Sequence, residues 1–540
     1  MRNRTVIIPC AGNYFNSNSG FVNYSSNAML PLNGKPVISW IIDDLFSKEI
    51  YDLILVSRQD DYELNNFLDW AYSEVKIVKI ENNDSGSILY SIYSGFKLLN
   101  ISTTNELSIL LGDTLIFDPF SESVDFIYAG YKNDKKKWCF LEVNSKSILT
   151  NSFDDISTGN GDQLVASGYY NFCNVNLFYE LLKDCIKLNL RELSDVINRY
   201  NSKIPLVVKL SNSWHDLGHI EGILNSKRNL ITSRSFNNLT INPILNTITK
   251  TSLNNEKLRD ELNWYNLMPD ELKVLSPRIL SKSSTGENVT IVQEFYGYPT
   301  LSELFLYGKI SKPVWAQIFR HLFILNAEFK KYSEANSKNV FNEIYVKKTE
   351  ERLSTLKHQI NFTEIFQHNY LIINGEKIKN IPLLLDGFMH KLQLLCGNSV
   401  SHIIHGDFCF SNILFDVNSF IIKLIDPRGS FGKKGIYGDS RYEIAKLRHS
   451  AIGKYDFIVS NLFYIEINND VVNYKIAENE NVNLVYDVFD DFVLNYGYDL
   501  DEIKLIEASL FISMLPLHAD NFDRQLMLYI TGILKLNELI

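Results

Sequence analysis

Residues 402–414 read HIIHGDFCFSNIL, and LIDPRG follows at residues 424–429. Asp407 and Asn412 stand on a predicted loop that leads into a strand, and Asp426 ends the next predicted strand. A carboxylate at position 407 can orient and deprotonate a substrate hydroxyl, while oxygens of Asn412 and Asp426 can hold Mg²⁺ beside nucleotide phosphates. Phosphoryl transfer needs in-line positioning and neutralised phosphate charge, so this spacing predicts a phosphoryl-transfer site.

The order HGD, four residues, Asn, a hydrophobic strand and IDPRG resembles the aminoglycoside phosphotransferase and choline kinase family, which has a protein-kinase-like fold. The resemblance covers roughly residues 232–460. It implies that Asp407, Asn412 and Asp426 are catalytic, and that Asn412 and Asp426 are metal ligands. It also implies ATP and Mg²⁺ as partners and a small alcohol or amino alcohol as the acceptor.

The same resemblance implies a lysine–glutamate pair upstream. TITK at residues 247–250 predicts a strand that ends near Lys250, and residues 255–267 predict a helix that contains Glu261. In this fold the lysine contacts the nucleotide α- and β-phosphates and the glutamate positions the lysine. Lys250 is therefore a catalytic and nucleotide-binding candidate, and Glu261 is its predicted partner. Glu256, in the same predicted helix, is the alternative partner.

Two more segments are candidates for nucleotide binding. The usual Gly-rich phosphate loop is absent, and SRSFNN at residues 233–238 occupies its place. Its small polar residues can offer backbone N–H groups to phosphate. VQEFYG at residues 292–297 predicts a strand and a hinge, and the resemblance implies that the hinge around Glu294 contacts a purine base.

Aromatic residues near the end of this region leave two interpretations open. Tyr437, Tyr442, Tyr455 and Phe457 can cage a quaternary ammonium group through cation–π contacts. They can equally pack in the core, because aromatic residues are frequent throughout the chain. Asp439 also has two possible interpretations, a structural role and a catalytic role.

A second set of motifs lies before residue 230. The segments are VIIPCAG at 6–12, AMLPLNGKPVI at 28–38, LLGDT at 110–114 and WHDLG at 214–218. Backbone N–H groups in the loop after Ala11 and Gly12 can wrap nucleotide phosphates. Asp113 and Asp216 can jointly hold Mg²⁺ that bridges an α-phosphate and an attacking phosphate.

In this order, the segments resemble the sugar-phosphate and choline-phosphate nucleotidyltransferases. The resemblance implies Asp113 and Asp216 as metal ligands and a set of nucleotide-binding residues: Ala11, Gly12, Lys35, Ser85 and Gly86. Ser85 and Gly86 precede a predicted helix, whose N-terminus can contact the base or the ribose.

The first region departs from that family in its cations. The family's first loop has Gly-x-Gly-x-Arg, whereas residues 12–20 read GNYFNSNSG. Asn27 stands where the family places a lysine that compensates triphosphate charge. A transition state that gathers several negative charges is weakened by the loss of even one such cation. Arg2, Arg4 and Lys35 are the candidate substitutes.

Composition narrows the class of protein. The 540 residues are 45% hydrophobic and 21% charged, which excludes a disordered or collagen-like chain. A net charge of −10 argues against a general nucleic-acid binder. Six cysteines are too few for a disulfide scaffold, and they lack zinc-site spacing. The N-terminus lacks a signal-peptide pattern and the longest apolar runs are short, so we expect a cytoplasmic protein without a membrane span.

A polar stretch at residues 231–245 predicts a domain boundary near residue 230. Residues 1–230 alternate strand-like and helix-like segments, which predicts a Rossmann-like α/β nucleotidyltransferase domain with a mostly parallel sheet. Residues 231–540 predict an α+β, two-lobed, protein-kinase-like domain. Its small lobe covers about 231–305 and its helical large lobe about 306–540.

The sequence predicts the positions of individual strands and helices. Strands are expected at 5–9, 53–57, 75–80, 107–111, 247–251 and 289–295. Helices are expected at 37–46, 87–99, 255–267, 313–332 and 347–360.

A kinase joined to a nucleotidyltransferase predicts two consecutive steps in one bifunctional enzyme. The kinase would phosphorylate a small alcohol or amino alcohol with ATP, and the transferase would couple the phosphate to an NTP. The resemblance favours CTP and implies an activated precursor for bacterial surface polysaccharide, such as capsule or lipopolysaccharide. The alternative is a small-molecule kinase whose N-terminal domain binds nucleotide or product without nucleotidyl transfer. The oligomeric state is left open.

Overall fold

The computed structural model describes residues 4–12, 22–81, 87–102, 104–120, 124–157, 161–218, 220–230, 237–252, 255–285, 288–335, 338–397 and 400–540. The chain divides into two compact units. The first consists of residues 23–230 with the N-terminal strand, and the second of residues 231–540.

The first unit is built on a nine-stranded sheet. Seven strands form its main path, in the order Leu149–Ile156, Lys137–Val143, Gln163–Phe172, Glu106–Leu110, Arg4–Pro9, Leu53–Arg58 and Lys76–Ile80. Phe126–Lys132 pairs with Gln163–Phe172, and Val207–Leu210 pairs with Phe126–Lys132. The strand Arg4–Pro9 lies inside the sheet, and Val6, Ile7 and Ile8 are fully buried because helices cover a sheet of this kind on both faces.

Only one half of this sheet has the predicted parallel arrangement. Four of its eight strand pairings are parallel and four are antiparallel. The prediction of a mostly parallel sheet is wrong for the segment 126–172, where successive strands follow each other with no crossover helix between them. Strands joined by such short connections pair antiparallel.

Helices pack around the sheet, on its antiparallel part as well as its parallel part. They are Val37–Ser47, Tyr62–Ala71, Ile88–Gly95, Val175–Lys187, Leu193–Asn201 and Ile220–Asn229. The helix Val175–Lys187 is amphipathic and begins at Asn174, whose side chain accepts a hydrogen bond from the Leu177 N–H. Its buried face, with Phe178 and Leu182, packs on the sheet core. A short antiparallel strand pair, Thr114–Ile116 with Trp214–Asp216, lies beyond the carboxyl end of the strand Glu106–Leu110.

The second unit begins with a four-stranded antiparallel sheet in the order Asn237–Asn242, Thr247–Ser252, Asn288–Glu294 and Ile279–Thr285. The helix Asn255–Leu267 follows the second of these strands and buries Leu258 against Val289 and Ile291. The strands Thr247–Ser252 and Asn288–Glu294 and this helix lie where the sequence predicts them, whereas Asn237–Asn242 and Ile279–Thr285 were not predicted.

The rest of the second unit is mainly helical. Its helices of eight or more residues are Lys312–Phe329, Lys348–Lys357, Ile381–Leu395, Ser440–Ala451, Glu480–Asn495, Leu500–Met514 and Phe522–Asn537. Shorter helices lie at Leu301–Tyr307, Lys338–Asn342, Ile360–Ile365 and Tyr455–Val459, and Glu343–Lys347 forms a π-helical turn. A second four-stranded sheet, which the sequence analysis did not predict, contains Glu376–Lys379, Tyr370–Ile373, Val471–Ile476 and Phe463–Asn468.

Short strands frame the loop with the HGD motif. Ser401–Ile403 precedes the motif, and the hairpin Ile413–Asp416 with Ile421–Leu424 follows it. Asp407 therefore lies on the loop between two strands, and Asp426 lies just after the next strand, as predicted. Across the described residues, we find no helix with the length and apolarity that crossing a bilayer requires.

Candidate functional site

The second unit brings three predicted site residues into direct contact. The Lys250 Nζ lies 2.7 Å from the Glu261 Oε2 and 2.7 Å from the Asp426 Oδ1. These residues come from the small sheet, the following helix and the loop after the strand Ile421–Leu424. Lys250 and Glu261 are buried, whereas the Asp426 side chain is 35% exposed, so one carboxylate of the cluster remains open to a ligand.

A close backbone approach holds Asp426 in this cluster. At Gly429, an added Cβ would lie 1.9 Å from the Asp260 carbonyl oxygen, and the residue has a φ of +64°. Only glycine fits there, because it combines a left-handed backbone with no side chain. The loop can therefore press against the helix that contains Glu261. Asp426 itself has a φ of +57°, which a non-glycine residue adopts only under tertiary constraint.

The charges of this cluster depend on one another. Burial raises the pKa of Glu261 to about 7, against the attraction of Lys250. Burial alone would lower the pKa of Lys250, but Asp426 and Glu261 together raise it. Lys250 therefore stays protonated, as a lysine that binds nucleotide phosphates must be. Glu256, the alternative partner, instead pairs with Lys434 at 2.9 Å on the surface.

The HGD loop holds Asp407 and Asn412 together. The Asn412 Nδ2 donates hydrogen bonds to the Asp407 carbonyl oxygen and to the Asp407 Oδ2, both at 3.0 Å. Because these bonds use the amide nitrogen, the amide oxygen of Asn412 is the atom suited to a cation. Lys446 Nζ lies 2.9 Å from the other Asp407 oxygen. Although burial opposes it, the attraction of Lys446 holds the pKa of Asp407 well below its usual range.

Glu443 supports the backbone of this loop, a role that the sequence analysis missed. Its carboxylate accepts hydrogen bonds from the N–H groups of His405 and Gly406, at 2.7 and 2.9 Å. Burial raises its pKa to about 8. A buried glutamate at the fourth position of a helix N-terminus, shortly after the HGD segment, was the available signal.

Asp439 has the structural role that was left open. Its carboxylate accepts hydrogen bonds from the Arg441 N–H and guanidinium and from the Tyr345 hydroxyl, and it caps the helix Ser440–Ala451. The aromatic candidates are largely packed into the protein. Tyr442 and Phe457 are buried, and the Tyr455 ring lies on His449 at 4.1 Å between centroids.

Glu294 lies at the end of its strand, and both its carboxylate and its backbone N–H form hydrogen bonds. The carboxylate accepts from the Arg278 N–H at 3.1 Å and from the Tyr296 hydroxyl at 3.0 Å. Its own N–H donates to the Arg278 carbonyl oxygen at 3.1 Å. A purine contact in this hinge stays a prediction. The predicted phosphate segment at 233–238 falls mostly outside the described residues.

In the first unit, Asp113 and Asp216 lie on either side of Gly218. A Cβ at Gly218 would be 2.9 Å from the Asp113 Oδ2 and 3.5 Å from the Asp216 Oδ1. The antiparallel pair Thr114–Ile116 with Trp214–Asp216 produces this approach, since it pairs Asp216 with Thr114. Residues 113 and 216 are far apart in sequence, so the sheet and this strand pair together bring the two carboxylates to one edge.

Lys132 is a cation beside these carboxylates that the sequence analysis missed. Its Nζ lies 3.4 Å from the Asp216 Oδ2 and over the rings of Trp214 and Trp138, at 4.5 and 4.9 Å from their centroids. Its position depends on the strand register that places Lys132 opposite Gln163. No local motif indicates that register, which explains why the residue was missed.

A cavity of about 320 Å³ lies next to Asp113. Gly12 and Asn27 line it, together with Ser87 and Ser91 from the start of the helix Ile88–Gly95. Ala11 is instead buried in the core, so any contribution it makes to a ligand comes from its backbone. Ser85 and Gly86 lie outside the described residues.

The other candidate cations of the first unit are engaged elsewhere. Lys35 pairs with Asp43 and lies over the Trp40 ring at 4.3 Å. Arg4 pairs with the buried Glu106 at 2.6 Å, and Arg2 lies outside the described residues. Arg58, which was not predicted, donates to the Gly12 and Ser25 carbonyl oxygens at 3.3 and 3.0 Å.

Both pairs of predicted metal ligands have donor sets suited to Mg²⁺. Within the described ranges, no group of three or more His, Cys, Asp or Glu side chains is arranged around a metal position. Mg²⁺ in nucleotide-dependent enzymes commonly binds one or two protein oxygens and completes its shell with phosphates and water. Asn412 with Asp426, and Asp113 with Asp216, fit that chemistry.

No protein-family model matches the chain, and no curated protein matches it. Among solved structures, an N-terminal region making up 42% of the chain resembles nucleotidyltransferases. The CTP:phosphocholine cytidylyltransferase of Streptococcus pneumoniae is 16% identical, with a TM-score of 0.35 and 99% of that chain covered. A UDP-glucose pyrophosphorylase of Acinetobacter baumannii is 13% identical, with a TM-score of 0.34 and 93% covered. HddC from Yersinia pseudotuberculosis, solved with GMP-PN, is 15% identical, with a TM-score of 0.32 and 99% covered.

Proposed function

We propose that the chain is a bifunctional enzyme. Its second unit phosphorylates the hydroxyl of a small alcohol with ATP, and its first unit couples a phosphorylated alcohol to an NTP. The observation that supports the kinase activity best is the contact of Lys250 with both Glu261 and Asp426, because three distant segments converge on a buried cation. Such a cation, next to an acidic metal ligand, is what nucleotide phosphates require.

The kinase step follows from the groups around Asp407. The Asp407 carboxylate accepts the proton of the acceptor hydroxyl as the new bond forms between that oxygen and the γ-phosphorus of ATP. The bond between the γ-phosphorus and the β,γ-bridging oxygen breaks, and ADP leaves. Asn412 and Asp426 would hold Mg²⁺, which neutralises phosphate charge when bound. A carboxylate with a lowered pKa is ionised at neutral pH, so Asp407 acts by orienting the hydroxyl and accepting its proton late.

The transferase step uses Asp113, Asp216 and Lys132. A phosphate oxygen of the phosphorylated alcohol attacks the α-phosphorus of the NTP, the bond to the α,β-bridging oxygen breaks, and pyrophosphate leaves. Asp113 and Asp216 would hold Mg²⁺ at this centre. Lys132 contributes positive charge there, in place of the lysine that the nucleotidyltransferases have at the position of Asn27. CTP is our preferred NTP, and an activated precursor for bacterial surface polysaccharide our preferred product, on the sequence resemblance alone.

The second candidate function keeps the kinase and makes the first unit a binding module. It is favoured by Asn27, which lines the cavity at a position where the nucleotidyltransferases have a lysine. A domain without enough cations can bind a nucleotide and still fail to stabilise the transition state of transfer.

Kinase activity is tested by a screen of small alcohols for ATP-dependent phosphorylation with the full chain, followed by ADP release. We expect Asp407→Asn to lower turnover by about a thousandfold, since a positioned base contributes roughly that factor. Its folding should be intact, because the Asp407 side chain is 41% exposed. Equal turnover of the wild type and Asp407→Asn would refute the role of Asp407.

Nucleotidyl transfer is tested by pyrophosphate release from each NTP in the presence of phosphorylated alcohols that the kinase has produced. Release that depends on Asp113 and Asp216 supports the bifunctional enzyme. If kinase activity is intact and no pair of NTP and phosphorylated alcohol releases pyrophosphate, the binding module is the correct alternative.

A further inference from the structure

Two cations, Lys446 and Arg428, lie beside Asp407 in the second unit, and a nearby helix adds Lys348 and Arg352. Lys446 contacts the carboxylate directly at 2.9 Å. Arg428 packs over the preceding residue: a Cβ at Gly406 would lie 2.8 Å from the Arg428 Cβ. Lys348 and Arg352 are one helical turn apart in the helix Lys348–Lys357, so they project from the same face.

The segment before that helix is anchored against the same loop and helix. The Tyr345 hydroxyl donates to Asp439 at 2.9 Å, and the Tyr345 ring lies 6.4 Å from that of Tyr442. The Tyr442 hydroxyl in turn accepts a hydrogen bond from the Arg428 Nη1 at 3.2 Å. Lys348 is the first residue of the α-helix and directly follows the π-helical turn Glu343–Lys347, which Tyr345 anchors. Such turns are frequent at functional sites.

Within the part of the chain that the structure describes, the contact of Lys446 with Asp407 is the one ion pair made by any of these four residues. The charges acting most strongly on Lys348 are Arg428, Lys446, Arg352 and Asp407, and burial together with the three cations lowers its pKa to about 7. These neighbouring charges agree with the anchoring of the preceding turn, through Tyr345 and Tyr442, against Arg428.

We propose that the acceptor of the kinase is an alcohol with a negatively charged group, a phosphate or a carboxylate, which Lys348, Arg352 and Arg428 bind. This inference rests on the proposed kinase function and replaces the amino alcohol among its acceptors. Unpaired cations that are partly buried cost free energy until an anion reaches them. A cationic acceptor such as choline would add to the repulsion instead. The buried Tyr442 and Phe457, which the cage for a quaternary ammonium would need, agree with this choice.

The nucleotide is a less suitable occupant of the cluster. Lys250, held between Glu261 and Asp426, is the cation placed for the ATP phosphates. Arg428 and Lys348 instead act on Asp407, the residue that receives the acceptor hydroxyl in the proposed reaction. An anionic group held there would fix the hydroxyl at Asp407 by a second point of attachment, which favours in-line transfer.

The first test measures inorganic phosphate binding to the full chain, saturated with Mg²⁺·ADP, by thermal shift and titration calorimetry. We expect Lys348→Gln and Arg352→Gln each to weaken phosphate binding about tenfold or more, because each removes a charge-assisted contact. Lys347→Gln is the matched control: Lys347 is the adjacent residue, exposed and paired with Glu343. Failure of the wild type to bind phosphate, or equal binding by all three variants, overturns the inference.

The second test compares D-glycerate and glycerol 3-phosphate with glycerol, ethanolamine and choline in the ATP-dependent reaction. Preference for either anionic acceptor supports the inference and identifies its anionic group as a carboxylate or a phosphate. Preference for choline or ethanolamine overturns it while leaving the kinase function standing. A higher KM for ATP in Lys348→Gln, with phosphate binding unchanged, assigns the cluster to the nucleotide and also overturns it. Absence of Mg²⁺·ATP binding refutes the kinase function itself, and the phosphate titration, repeated without ADP, then still decides whether the cluster binds anions.

Discussion

Replacing Lys250 by methionine should destabilise the second unit in a pH-dependent way. The substitution keeps the side chain's length and apolar stem but removes the charge that lies 2.7 Å from both Glu261 and Asp426. Two carboxylates would then face each other around a buried position. Removing one partner of a buried ion pair typically costs about 3–5 kcal/mol, because the other charge is left without compensation.

Protonation of Glu261 should limit this cost at low pH. With Lys250 present, the pKa of Glu261 is about 7, and losing the lysine raises it further. A carboxylate whose folded-state pKa lies above its unfolded value of 4.5 binds its proton more tightly in the folded protein. Its contribution to stability is therefore lost as the pH rises from about 4.5 through the folded pKa. Each unit of pKa difference corresponds to about 1.4 kcal/mol, so the variant should lose roughly 3 kcal/mol of stability between pH 6 and pH 8.5, more than the wild type, whose Glu261 has the lower pKa.

The assay is thermal unfolding of the full chain at pH 6 and pH 8.5, with the transition of the second unit identified by its response to Mg²⁺·ATP in the wild type. Lys250→Met should have a nearly normal midpoint at pH 6 and a clearly lowered one at pH 8.5. Lys250→Met combined with Glu261→Gln is the control, since it removes the carboxylate that titrates, and it should lose most of the pH dependence. A pH-independent loss in Lys250→Met, or a pH dependence that survives in the double variant, would refute this account.

Four further results are expected. Asp426→Asn should raise the Mg²⁺ concentration needed for half-maximal ATP turnover about tenfold or more, as a magnesium titration would show. Glu443→Gln should lower kcat about tenfold with little change in the KM for ATP, because one of the two loop N–H bonds at His405 and Gly406 is lost. Lys132→Gln should reduce pyrophosphate release about a hundredfold without affecting ADP release, measured in the same preparation. Gly429→Ala should destabilise the second unit by several kcal/mol, read as a lower thermal midpoint, since its Cβ would overlap the Asp260 carbonyl oxygen.

Local patterns were sufficient for several of the elements that position the site. The strand Thr247–Ser252 and the helix Asn255–Leu267 were predictable because hydrophobic periodicity fixes which face is buried. The periodicity also distinguishes Glu261 from Glu256: Glu261 shares the buried face with Leu258, while Glu256 projects into solvent. The pairing of Lys250 with Glu261 could thus be predicted from the sequence. The contact of Lys250 with Asp426 depends on the close backbone approach at Gly429.

Long-range register was not accessible in the same way. The strands between residues 126 and 172 have no crossover helices, and only the assembled sheet shows which of their residues face Asp216. Lys132 lies opposite Gln163 and reaches Asp216 across two indole rings, contacts that join residues up to 84 positions apart. The same limitation applies to Lys348, whose electrostatic interaction with Asp407 depends on how a helix far upstream packs near the HGD loop.

Lys132 is a candidate replacement for the cations that the first unit lacks. A lysine at position 27 would have been free to follow the triphosphate, whereas Lys132 is held by Asp216 and two tryptophan rings. A cation that is already held in place loses less conformational entropy when phosphate binds. One preorganised charge can therefore replace a more mobile one. Yet its partner is also a proposed metal ligand, and Mg²⁺ at Asp216 would compete with the ion pair. If the first unit is an active transferase, Asp216→Asn should therefore abolish pyrophosphate release, and Lys132→Arg should retain part of it. If the first unit is a binding module, both variants should bind nucleotide with only modest changes in affinity and release no pyrophosphate, like the wild type.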